Sequence, residues 1–176
     1  MSVPVVSLFF ATIALALAAF VVVAVVGRVA VASAVEPLFA LFRPVAYELA
    51  TAVALGCMLG SLYMSEIANF RPCRLCWIQR GFMYPAAVLL LIGLIVNRRW
   101  LFGRIAIVLA AFGLPVSIFH RVEEAVGGFG NVCEIDNPCS LKWIEEYGFV
   151  TIPTMAGIGF ASIIVFVLLS ADRRAP

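Results

Sequence analysis

The chain has 176 residues, of which 64% are hydrophobic and 12% charged, with a formal net charge of +2 and a mean hydropathy of +1.11. That balance excludes a soluble globular domain and describes an integral membrane protein. No internal repeat, low-complexity tract, phosphate-binding glycine loop or nucleic-acid motif is present, so the chain is read as having a lipid bilayer around it and no nucleic-acid partner.

Long, nearly uncharged apolar runs predict about five spanning helices, over residues 4–27, 45–67, 82–96, 101–119 and 150–171. They leave no room for a separate soluble domain. The first run has no basic flank before it and is longer than a signal-peptide core, so it is expected to stay as a span even though Ala32-Ser33-Ala34 resembles a cleavage site. Residues 1–44 are accordingly read as an extra N-terminal span with a cytoplasmic loop, and 45–176 as the main domain. Arg98, Arg99 and Arg104 follow the third span, and Arg173 and Arg174 follow the fifth. By the positive-inside rule both places are cytoplasmic, which puts the N-terminus outside. In the second span Gly56, Gly60 and Ser61 permit close helix packing, and Cys57 reads as a small core residue. Glu66 lies near the outer boundary, where a carboxyl reaches the headgroups.

The chemistry concentrates in RPCRLCWIQR, Arg71 to Arg80, at the mouth of the third span. Pro72 suits a first helical turn, so a helix is predicted to begin at or just before Cys73. At about 100° per residue, Cys73, Cys76 and Arg80 then fall within roughly 60° of one another on one face. A thiol acts as nucleophile only when ionised, and nearby cations and a helix N-terminus favour that state. Arg71, Arg74 and Arg80 also lie on the side where basic residues are disfavoured, so they need another reason to be there, and stabilising a thiolate or an anionic ligand is one.

The fourth span ends in IFHRVEE, which carries the one histidine, His120, on the same side as the C-x-x-C helix. The one long connection, 121–149, contains CEIDNPC. Its Asn137-Pro138 turn signal helps the loop between Cys133 and Cys139 to close. Next, SLKWIEEYG puts Leu141, Ile144 and Tyr147 opposite Lys142, Glu145 and Glu146, which predicts a short helix on the outer membrane surface. Four outward cysteines allow three disulfide pairings. A C-x-x-C disulfide among cations is easily reduced, and two pairs within reach pass electrons by exchange. The hydrophobic two-electron acceptor at that depth is a membrane quinone.

These residues resemble the disulfide-bond formation protein B (DsbB) family of membrane oxidoreductases, in its BdbC-like branch. The matching motifs are LGSLYMSE at 59–66, PCRLCWIQRGFMYP at 72–85, PVSIFH at 115–120, CEIDNPCS at 133–140 and GFVTIPT at 148–154. The resemblance implies an all-α, four-helix transmembrane bundle in a bacterial plasma membrane, with its cysteine loops extracytoplasmic and its C-terminus cytoplasmic. It also implies a thiol:quinone oxidoreductase that reoxidises an extracytoplasmic thioredoxin-like disulfide oxidase of the DsbA or BdbD type and reduces ubiquinone or menaquinone. Carried over by position, Cys133 and Cys139 exchange with the partner, and Cys73 and Cys76 lie beside the quinone. Cys76 becomes the quinone-facing thiolate, Arg80 the quinone-binding arginine, and His120 a further group near the ring. The N-terminal span is additional to the family pattern, and Ile78 replaces an aromatic common after the tryptophan.

Two other readings compete. The vitamin K epoxide reductase type also couples cysteine pairs to a quinone, but there the loop pair precedes the C-x-x-C pair, whereas here it follows. A membrane protein binding a metal through all four outer cysteines explains the C-x-x-C half, but it gives the arginines beside it no purpose.

Overall fold

The computed structural model describes residues 3–127, 133 and 138–171. Asn137, Arg173 and Arg174 lie outside the described residues. The elements are α1 (Val3–Ala30), α2 (Ala32–Phe42), a 3₁₀ turn (Arg43–Val45), α3 (Ala46–Leu62), a π turn (Tyr63–Ile67), α4 (Arg74–Ile95), α5 (Arg99–Val126) and α6 (Ile152–Ala171). Among the described residues five stretches are long and apolar enough to span a bilayer, and α2 through the π turn counts as one of them, Ala32–Ile67. Four of these spans run longer than the expected apolar runs, while α6 begins at Ile152, two residues after the expected 150. Helix α4 begins at Arg74 with Cys73 as its cap, as Pro72 predicts, eight residues ahead of the apolar run that starts at 82.

Helices α3 to α6 form the bundle, with α4 against α5 and α5 against α6 as the most extensive interfaces; α1 lies outside it, against α6. Since lipid is as apolar as leucine, close van der Waals fit has to hold these helices together, and small residues permit it. Ala50 and Ala54 of α3, Ala86 and Ala87 of α4 and Ala106 and Ala110 of α5 are all fully buried around Leu90, Phe160 and Ile163. The Phe160 ring occupies the space that a side chain at Gly113 would need. Tyr47 donates to the Leu90 carbonyl at 3.2 Å across the α3–α4 contact. At that end of the bundle Arg99 pairs with Glu48 at 2.6 Å, opposite the end that carries the cysteines.

Two expectations need correction. Residues 32–42, read as loop, are helical: Phe39 is buried with Ala24, Ala46 and Leu169, so α2 is held by apolar contacts that a solvated loop would lack. The outer-surface helix over 141–147 is not formed. So short a helix does not recover its nucleation cost, and the apolar side chains find tertiary partners instead. Trp143 stacks on Phe70 at 5.0 Å, and Ile144 is buried with Val6 and Met64. The chain turns back through a bridge between Glu146 and Val150, with Tyr147 and Gly148 at φ of 55° and 76°.

Candidate functional site

Cys73 caps α4. Its backbone is extended, and its sulfur accepts from the Cys76 N–H at 3.4 Å. The unpaired N–H groups of a first turn favour negative charge there, so the sequence feature that starts the helix also prepares the thiol. Cys76 Sγ is 3.0 Å from Cys73 Sγ, and both are free thiols. Cys133 and Cys139 are joined as a disulfide. The Cys139 sulfur, the Cys73 sulfur and a His120 ring nitrogen all lie within 4.8 Å of one another. Cys73, Leu75 and Cys139 form a buried cluster, with Val116 and the less buried Cys76 and Cys133 packed against it.

His120 reaches this cluster from α5 and is 3% exposed. Its Nε2 is 3.5 Å from Cys73 Sγ, and its Nδ1 is 3.0 Å from Nε2 of Gln79 on α4. With Gln79 donating, Nδ1 is an acceptor and Nε2 carries the proton toward sulfur. Cys73 lies just outside α4, and its thiol is held well below the ordinary thiol range. The hydrogen bond from Cys76 is the largest cause, the His120 contact adds to it, and burial opposes both.

Cys76 faces a different environment. It lines an apolar cavity of about 560 Å³ between α1, α3, α4 and α6, together with Gln79, Arg80 and Tyr84. Arg80 donates from Nε to the Ser61 hydroxyl and from Nη2 to the Ser61 carbonyl, both at 2.9 Å, and its guanidinium lies 5.2 Å from the Trp77 ring centroid. Tyr84 also donates to Ser61, at 3.3 Å. The cavity fits a quinone: its wall is almost wholly apolar, and it holds a fixed cation beside a thiol.

The residues singled out from sequence thus divide. Cys73, Cys76, Cys133 and Cys139 come together; Arg80 is on the cavity wall; His120 is on the Cys73 side and is not among the cavity's lining residues. Arg71 and Arg74 are exposed. Glu66 accepts from its neighbour Ser65 at 3.0 Å. Cys57, read as core, lines the cavity. Ser61, Gln79 and Tyr84 were not singled out as site residues. The signal for Gln79 was an uncharged amide three residues after Cys76 on the same helix face; Ser61 acts across helices, which spacing within one helix does not reveal.

The family model described as disulfide bond formation protein DsbB matches residues 43–144. Disulfide bond formation protein C of Bacillus subtilis is 43% identical over 125 residues, covering 70% of this chain and 90% of that protein. A probable disulfide formation protein of Deinococcus radiodurans is 40% identical over 139 residues, 72% of this chain and 87% of the relative. The SPbeta prophage-derived disulfide bond formation protein B of Bacillus subtilis is 39% identical over 107 residues, 60% of this chain and 71% of its own length. No solved structure matches the chain.

Proposed function

The chain belongs to the DsbB family of disulfide bond formation proteins, a multi-pass membrane thiol oxidoreductase, and on that premise we propose that it moves electrons from a thioredoxin-like partner outside the membrane to a quinone inside it. The observation that carries the reading is the continuous line of sulfurs from Cys133–Cys139 through Cys73 to Cys76, ending on an apolar cavity that also holds Arg80.

The order of exchange follows from burial and proximity. Cys133 is less buried than Cys139, so a partner thiolate attacks Cys133 and releases Cys139 beside Cys73. Resolution by the partner's second thiol leaves the partner oxidised and the loop pair reduced. Cys139 as thiolate then attacks Cys73 of a Cys73–Cys76 disulfide, and Cys76 leaves as thiolate. Cys133 displaces Cys73 from the mixed disulfide, restoring Cys133–Cys139 with Cys73 and Cys76 reduced. That is the combination of oxidised loop pair and free C-x-x-C thiols seen here.

A bound quinone supplies a sink for the two electrons and two protons of the Cys73–Cys76 dithiol. Cys76 presents its sulfur to that site, and Arg80, anchored by Ser61, offers N–H donors to a quinone oxygen. His120, held by Gln79, favours Cys73 as thiolate when Cys133 displaces it, so that Cys73 is a good leaving group in the last exchange. Ubiquinone and menaquinone both suit the apolar wall.

A metal site finds less support, because Cys139 is in a disulfide and so offers no thiolate to the Cys73, His120 and Cys139 group. A Cys76→Ser, Cys133→Ser double variant tests the relay. Mass mapping after mild oxidation is expected to find Cys73 joined to Cys139, and recovery of both as free thiols would overturn the order given.

A further inference from the structure

The family match begins at residue 43, so α1 lies outside it, yet α1 borders the same cavity as Cys76 and Arg80. Phe9, Phe10, Ile13, Ala14 and Leu17 all line it. Residues 9 to 17 span about 12 Å along a helix, so this wall is as long as the body of a substituted chain rather than of a ring alone. We propose that α1 completes the cavity as the binding wall for the apolar chain of the electron acceptor, and so selects for quinones that carry one. This rests on the quinone reading above.

Three features fix α1 in that place. Gly60 of α3 has no side chain, and a Cβ there would sit 3.0 Å from the Phe10 ring, so the glycine is what lets Phe10 reach α3 beside Ser61. Ser7 is buried on α1 and donates to Glu146 at 2.6 Å, while the Thr12 and Tyr147 hydroxyls share a hydrogen bond of 2.9 Å. Both bonds tie α1 to the 143–150 turn, whose Trp143 lines the cavity from above. Ala11, fully buried, and Ala14 keep α1 close to its neighbours. A helix serving only as an anchor needs none of these polar ties. Polar groups at the outer end set its rotation, and that rotation aims Phe10 and Leu17 into the cavity.

The test measures binding to the full-length purified protein by quenching of tryptophan fluorescence, with decyl-substituted benzoquinone and tail-less benzoquinone as probes. Phe10→Ala and Leu17→Ala are expected to raise the dissociation constant for the decyl compound roughly tenfold, with the tail-less compound unchanged. Val22→Ala, an exposed α1 position away from the cavity, is expected to change neither. Ile13→Ala, at an exposed side chain, keeps the test intact if Phe10→Ala does not fold. Wild-type affinity for the decyl compound in the Phe10, Ile13 and Leu17 variants would overturn the role of α1 while leaving the quinone reading standing. Absence of saturable quenching of the wild type by either probe would remove the quinone reading and this proposal together.

Discussion

Cys73 and Cys76 are three residues apart, but their surroundings have little in common. Cys73 is packed among Leu75, Val116, His120 and the Cys133–Cys139 disulfide, within reach of other sulfurs and an imidazole. Cys76 opens onto an apolar cavity with a guanidinium on its wall. On the proposed function, one turn of helix separates thiol exchange from electron delivery, so variants should damage each half without the other.

The largest separation is expected from the cysteines. Cys76→Ser is expected to abolish quinone reduction, while a reduced thioredoxin-like partner still exchanges once with the loop pair in a stopped reaction. Cys133→Ser is expected to abolish that exchange, and full reoxidation of the partner by the Cys133→Ser protein would remove the relay. Cys57→Ser is expected to keep activity, since Cys57 lines the cavity but has no sulfur partner beside it.

Arg80→Lys comes next. An ammonium keeps the charge but not the fork that grips both Ser61 oxygens, so the apparent Michaelis constant for quinone is expected to rise about tenfold with partner exchange unchanged. Ser61→Ala, which removes one neutral acceptor, is expected to give a rise of about threefold in the same assay. If Arg80→Lys lowers thermal stability and leaves quinone dependence alone, Arg80 belongs to the fold and not to the site.

On the Cys73 side the expected changes are in pH dependence. A thiol whose pKa is lowered stays ionised as pH falls until it passes the lowered value. Removing a cause moves the midpoint up toward the ordinary value of about 8.5 and leaves less thiolate at pH 7. Alkylation of Cys73, followed by peptide mass mapping, is expected to show the larger upward move in Cys76→Ala, which removes the donor, and a smaller one in His120→Ala. Gln79→Leu is expected to shift the midpoint least, because it acts through the orientation of His120. Identical midpoints in all of these proteins would show that Cys73 is not held as a thiolate by these neighbours.

Features written along one helix were legible in the sequence. Pro72 and the cysteine spacing gave the start of α4, and apolar runs gave five spans, because each depends on neighbours within a few residues. What was not legible depends on partners from elsewhere in the chain. The anchor of Arg80 was not legible, because Ser61, whose two oxygens face it, comes from across the α3–α4 contact. His120 was placed near the quinone ring by the family resemblance, which does not fix the rotation of α5 that turns the imidazole to Cys73. The 141–147 segment has amphipathic spacing, but stacking of Trp143 on Phe70 overrides it.

The stretch Ala32–Ile67 is 36 residues long and helical throughout, passing from α2 through the 3₁₀ turn at Arg43–Val45 into α3 and the π turn. At 1.5 Å per residue it measures about 54 Å, against a hydrocarbon layer of about 30 Å. A straight rod would need a tilt of more than about 50° to hide that length, beyond the range of about 0–40° that spanning helices adopt. The surplus therefore belongs in the headgroup zone, at the end where Glu36 pairs with Arg43 at 2.8 Å and Pro44 follows. A change in bilayer thickness is taken up there, at the far end of the rod from Ser61. The cysteine end is spared, so turnover should vary little with acyl-chain length in vesicles.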